Sequence, residues 1–200
     1  MDVHAAGIVA LAALVVVVAS LGYLHVAPTG LSPLRNAVSQ YGITSYKLGY
    51  RVATLAFALA GAALALGLDR ALRPHEHGTF VIAMLVIFTC ARAAISWFPM
   101  DAPGTPRTQT GRTHGLLAIA AFGAAAFAAL RLGTDLSHAT HWHSLAPVST
   151  VLGWAMIVAL VAMALARSSP AVAARFGAIE RCFYVLAIVW FAVFAVACAG

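Results

Sequence analysis

Six runs of predominantly apolar residues, at 5–27, 47–68, 78–98, 113–132, 145–166 and 177–198, leave this 200-residue chain little room for anything else. A helix of about 20 apolar residues crosses the hydrocarbon of a bilayer, which is about 30 Å thick. Within that layer every backbone polar group must be satisfied inside the segment, so each run reads as a transmembrane α-helix. The runs are continuous and lack the alternation of barrel strands. The expected fold is all-α integral membrane: one six-helix bundle over 1–200, with short connections and no soluble domain. Composition agrees, since 62% of the residues are hydrophobic and only 9% charged, against about a quarter charged in soluble domains.

The first run reads as a retained helix rather than a cleaved signal, because Met1-Asp2-Val3-His4 has no basic n-region and the apolar stretch outruns an h-region. Cys90, Cys182 and Cys198 fall inside spans without C-x-x-C spacing, which suggests small packing residues and no disulfide framework. The formal charge of +6 lies beside helix ends, where lipid phosphates and topology account for it better than nucleic acid does.

The connections carry the polar residues. After the first span, Ser32 suits an N-cap, Pro33 the first helical position and Gly42 a stop, so the spacing predicts a short interfacial helix over 33–41. Leu34, Ala37, Val38 and Tyr41 would share its apolar face. Arg35, Asn36, Ser39 and Gln40 would share the other, either wetted or aimed at a ligand. Between the third and fourth spans, Pro99, Pro103 and Pro106 rule out a continuous helix, and Asp101, Arg107, Arg112 and His114 cluster there. Arg92 lies one to two turns before Phe98. It either snorkels to the interface or needs an anionic partner, Asp101 or a ligand phosphate. Glu180 and Arg181 stand at the entry to the last span.

With six spans, the loops 28–46, 99–112 and 167–176 emerge on one side. Lysine and arginine near the membrane number eight there against three opposite, which puts those loops in the cytoplasm of a bacterial inner membrane. The opposite side gathers His4, His75, His77, His138, His141 and His143. Imidazoles suit zinc or copper, but the spacing matches no established cage, so no metal ligand is assigned; a pH response and plain interfacial polarity are the other readings.

No H-E-x-x-H, G-x-S-x-G or P-loop occurs, and no cofactor is implied. The leading expectation is a polar, arginine-rich pocket at one membrane face that binds or processes a lipid headgroup. Asp101 and His114 would act as base and acid or hold a metal. Arg92 and Arg112 would clamp a phosphate, with Arg35, Asn36, Ser39, Gln40, Glu180 and Arg181 completing the pocket. The competing expectation is a non-catalytic membrane subunit or scaffold, in which the same residues tie helices together. A protein partner or a second copy is compatible with either.

Leu31-Ser32-Pro33-Leu34 with Asn36 to Gly42, Phe98-Pro99-Met100-Asp101, Gly111-Arg112-Thr113-His114-Gly115 and Gly177-Ala178-Ile179-Glu180-Arg181 together resemble the bacterial six-helix membrane proteins catalogued as domain of unknown function 998. The most specific part is Phe-Pro-x-Asp followed by Gly-x-x-His-Gly. That family is distantly similar to eukaryotic membrane proteins of the FRAG/DRAM type, some linked to lipid-anchor remodelling. The resemblance implies a six-helix bundle with its signature on one face, and it favours Asp101 and His114 over the other polar residues while leaving activity open.

Overall fold

The computed structural model describes residues 1–72, 78–140, 142–166 and 168–200. Among them there is no strand, and six long helices account for most of the chain. They are α1 (Val3–Val26), α2 (Lys47–Ala71), α3 (Thr79–Ile95), α4 (Gln109–Ser137), α5 (Ala146–Leu165) and α7 (Phe176–Ala199), with a four-residue α6 (Pro170–Ala173) in the last connection. Five of the six are long and apolar enough to cross a membrane. The exception, α3, is apolar but has only 17 residues.

Local chemistry sets the ends. The Asp2 carboxylate accepts from the Ala5 amide at 2.7 Å and caps α1, and the Thr108 hydroxyl accepts from Gly111 at 3.0 Å and caps α4. Pro147 falls in the first turn of α5, where its missing amide hydrogen is not needed. Several bounds move from those expected. α3 stops at Ile95, where a turn through Ser96 and Trp97 precedes Pro99, rather than at 98. α4 starts four residues early on the Thr108 cap and runs to Ser137.

Each long helix packs on its neighbours in sequence, and α7 closes the ring on α1. Neighbours are antiparallel: the His4 ring is 2.5 Å from the Ala199 carbonyl at one end, and His25 meets Arg181 at the other. α4 meets its neighbours through a buried alanine face, Ala121, Ala124, Ala125, Ala128 and Ala129. Such small residues let membrane helices approach closely. α7 also reaches α2 and α4, filling the centre with Phe183, Tyr184, Trp190, Phe191 and Phe194. The Phe57, Phe88 and Phe191 rings lie 4.9–5.1 Å apart in tilted and edge-on contacts. Trp190 Nε1 donates to Ser149 Oγ at 2.8 Å, and Ser149 donates to the Ala129 carbonyl at 2.7 Å, linking α7, α5 and α4 through buried hydrogen bonds.

The segment after α1 corrects the expected helix over 33–41. Ser32 O does accept from the amides of Arg35 and Asn36, but the Asn36 side chain turns back to accept from Ser32 N at 2.8 Å. The chain is extended at Ala37 (φ −59°, ψ 148°), and a 3-10 helix follows over Val38–Ile43. Asn36 behaves as a turn residue, competing with the helix for backbone groups. Ala37, Val38 and Tyr41 are buried as expected, whereas Leu34 is 50% exposed.

Candidate functional site

The connections 27–46, 96–108 and 168–175 share one end of the bundle, and the polar motif residues converge there in three groups. The first is a tie between the 3-10 segment and α7. Glu180, 4% exposed, accepts from the Val38 amide at 2.7 Å, taking up a free donor at the start of the 3-10 helix. Arg181 Nε donates to His25 Nε2 at 2.6 Å, one terminal nitrogen donates to the carbonyls of Pro33, Asn36 and Gly177 at 2.8–2.9 Å, and the other to the Tyr41 hydroxyl at 3.2 Å. A Cβ at Gly177 would lie 2.5 Å from Asn36 O and 2.6 Å from Pro33 O, so only glycine admits this approach. Asn36 Nδ2 also donates to Gln40 Oε1 at 2.6 Å. These side chains are largely consumed in holding the segment. Arg35 is exposed.

The second group lies between the start of α2, the end of α3, the start of α4 and the 3-10 segment. It is a cavity of about 390 Å³ whose lining includes Ser39, Lys47, Tyr50, Arg51, Ser96 and His114. Lys47 and Arg51 are four residues apart and share a helix face. The Arg51 guanidinium stacks 5.3 Å from the Trp97 ring and donates to Ser96 O at 3.4 Å. His114 is 6% exposed and its Nδ1 lies 2.8 Å from Phe98 O. A carbonyl can only accept, so Nδ1 carries the hydrogen and the neutral ring keeps its lone pair on Nε2. Nε2 has no partner among the described residues and is left to the cavity. No carboxylate appears in the lining.

One turn deeper, Arg92 is 2% exposed, donates to the Tyr184 hydroxyl at 2.9 Å and lies 5.3 and 5.6 Å from the rings of Tyr184 and Phe57. Its Nε and the nearby Ser96 Oγ are buried without a hydrogen-bond partner.

The third group is the 96–108 loop itself. Asp101 accepts from the Thr108 hydroxyl at 2.6 Å and from the Thr108 amide at 3.0 Å, while Thr108 caps α4. The two bonds from Thr108, with lesser help from Arg107 and Arg112, hold the Asp101 carboxyl below the usual carboxylate range. A Cβ at Gly111 would overlap the Asp101 carboxylate. Phe98 to His114 and Asp101 to Gly111 are thus two rungs of one closed loop. Asp101, Arg107 and Arg112 line a separate cleft of about 360 Å³ on the outer flank of α4.

Residues 9–197 match the family model described as protein of unknown function, DUF998. The chain belongs to this family. No curated protein and no solved structure matches it.

Within this DUF998 chain, the expected base and acid, Asp101 and His114, line different cavities, share no hydrogen bond, and are held by Thr108 and Phe98 respectively. The expected clamp is likewise divided: Arg92 is sealed among aromatic rings and Arg112 lies on the outer cleft. Neither arginine comes within 4.0 Å of Asp101; among the described residues the one ion pair is Arg131 with Asp135, at the opposite end. Ser39 reaches the His114 cavity and donates to Met100 Sδ at 3.2 Å. The side chains missing from the sequence reading are Lys47, Tyr50 and Arg51. The i, i+4 pair of cations opening α2 was the signal for Lys47 and Arg51, which are among the eight cations counted on that face only as a topology mark; Tyr50 had none. Of the histidine-rich side, His75, His77 and His141 lie outside the described residues, and His4, His138 and His143 are exposed. Among the described residues no three histidine, cysteine or acidic side chains gather as a metal site.

Proposed function

We propose that this DUF998 protein crosses the bacterial inner membrane six times and binds an anionic lipid headgroup in the cavity beside His114. α3 lies between antiparallel α2 and α4, so it traverses the same layer despite its length; 17 residues give about 25 Å, at the short limit for a span. The described cations at the cavity end are Arg35, Lys47, Arg51, Arg107, Arg112, Arg175 and Arg181, against Arg70 and Arg131 at the other end. That asymmetry supports a cytoplasmic cavity.

The observation that carries the reading is a headgroup-sized cavity at the bundle end with two cations, no carboxylate and one fixed imidazole lone pair. Lys47 and Arg51 supply attraction for phosphate, and His114 Nε2 accepts from a headgroup hydroxyl or serves as the base if the lipid is processed. Asp101 closes the loop that presents His114.

In phosphatidylcholine nanodiscs doped with phosphatidylglycerol, the double variant K47Q/R51Q should retain the anionic lipid about thirtyfold more weakly, from about 1 kcal/mol per cation. Native mass spectrometry reads this directly. Retention equal to the parent protein would overturn the proposal. Lipid turnover lost in His114→Ala, with folding intact, would make the protein an enzyme.

One observation favours the second reading, a non-catalytic subunit: the hydrogen bonds of Glu180 and Arg181 serve to fasten the 3-10 segment to α1 and α7.

A further inference from the structure

The outer cleft on α4 shares the 96–108 loop with the His114 cavity but opens on a different surface, and its lining changes character along the helix. Arg107 and Arg112 stand at its mouth, Gly115 lies one turn below, and Leu116 and Ile119 continue into the bundle's apolar flank. Leu116 is 68% and Ile119 62% exposed, so no helix of this chain covers that flank. A Cβ at Gly115 would meet nothing within 4 Å, which makes the floor of the cleft bare helix backbone beside open space.

Depth follows from length. The 29 residues of α4 span about 44 Å, and the hydrocarbon takes about 30 Å. With that excess shared between its two ends, the first turns of α4 stand at the headgroup level and Leu116 and Ile119 come level with acyl chains. Neither the Arg107 nor the Arg112 guanidinium has a hydrogen-bond partner among the described residues. The single carboxylate in the cleft, Asp101, is turned to Thr108, so the mouth keeps a net positive charge.

We propose that this cleft is a second site, independent of the His114 cavity, for one molecule of an anionic phospholipid. Its phosphate lies between Arg107 and Arg112, and one acyl chain follows the groove over Gly115 along Leu116 and Ile119. Two cations above an apolar groove match a charged headgroup joined to a hydrocarbon tail. A soluble anion would use only the mouth.

The test uses the full chain in phosphatidylcholine nanodiscs doped with phosphatidylglycerol, counting retained anionic lipid by native mass spectrometry. R107Q/R112Q should lose one retained molecule that K47Q/R51Q keeps. Gly115→Leu, whose Cβ meets nothing within 4 Å and whose side chain would occupy the groove, should lose the same molecule with an unchanged Tm. Glycerol phosphate, which has the headgroup and no tail, should leave that molecule in place. The proposal is overturned if R107Q/R112Q or Gly115→Leu retains the parent's full count, or if glycerol phosphate displaces the lipid held there. Loss in K47Q/R51Q alone would keep the His114 cavity and remove this second site.

Discussion

Asp101 and Gly111 fit each other as carboxylate and missing side chain. Because the Cβ of an alanine would overlap the Asp101 carboxylate, Gly111→Ala should force the loop away from α4 and destabilise the protein by about 1–3 kcal/mol, the usual cost of overpacking. Asp101→Ala in the same chain should relieve that clash, so thermal unfolding of the double variant should show strong non-additivity. Charge matters at this position as well as shape. With its folded-state pKa depressed by Thr108, Asp101 contributes stability that is full above its unfolded value of about 4 and is lost as pH falls through the lower folded value. Asp101→Asn should therefore lower Tm at neutral pH, and the gap from the parent should close in strong acid. A gap that widens in acid would contradict the Thr108 bonds.

Among the elements, the 33–43 segment depends most on residues far away in sequence. Arg181 fastens it through carbonyls of Pro33 and Asn36 and the hydroxyl of Tyr41. A lysine has no planar fork to serve these acceptors and His25 together. Arg181→Lys should cost about 2–4 kcal/mol, as expected for breaking charged hydrogen bonds in a partly buried network. Hydrogen exchange should show it as loss of protection in 38–43 ahead of the helices. In the core, Ser149→Ala strands Trp190 Nε1 and should cost about 1–3 kcal/mol, measured as reduced Tm. The helices themselves were legible from apolar runs, since hydropathy and the satisfaction of backbone groups are local properties. The 96–108 loop was located by its prolines and polar residues, but its contacts, Phe98 with His114 and Asp101 with Thr108 and Gly111, were not foreseen. The segment 33–41 was misread because its capping groups are Glu180 and Arg181, and nothing near Ser32 in sequence announces them. The same non-locality hid Tyr50, an apolar-looking core residue until His114 and Ser96 stand beside it.

At the scale of the whole molecule, the charge asymmetry of the two bundle ends makes a topological prediction. A single added cysteine at Thr105, on the exposed tip of the 96–108 loop, should escape an impermeant maleimide in intact cells and react once the inner membrane is opened. Labelling in intact cells would invert the bundle. The native thiols Cys90, Cys182 and Cys198 lie within helices, so the chain without Thr105→Cys serves as the blank. The closed ring also carries a consequence for how the protein is made. Arg92 is made with α3, but the Tyr184 hydroxyl and ring that receive its guanidinium arrive on the last helix. Until synthesis reaches that point, the guanidinium has the Phe57 ring of α2 beside it but lacks its hydrogen-bond acceptor. α7 is thus the keystone of the ring: a chain stopped before it leaves the Arg92 guanidinium without the hydroxyl that receives it.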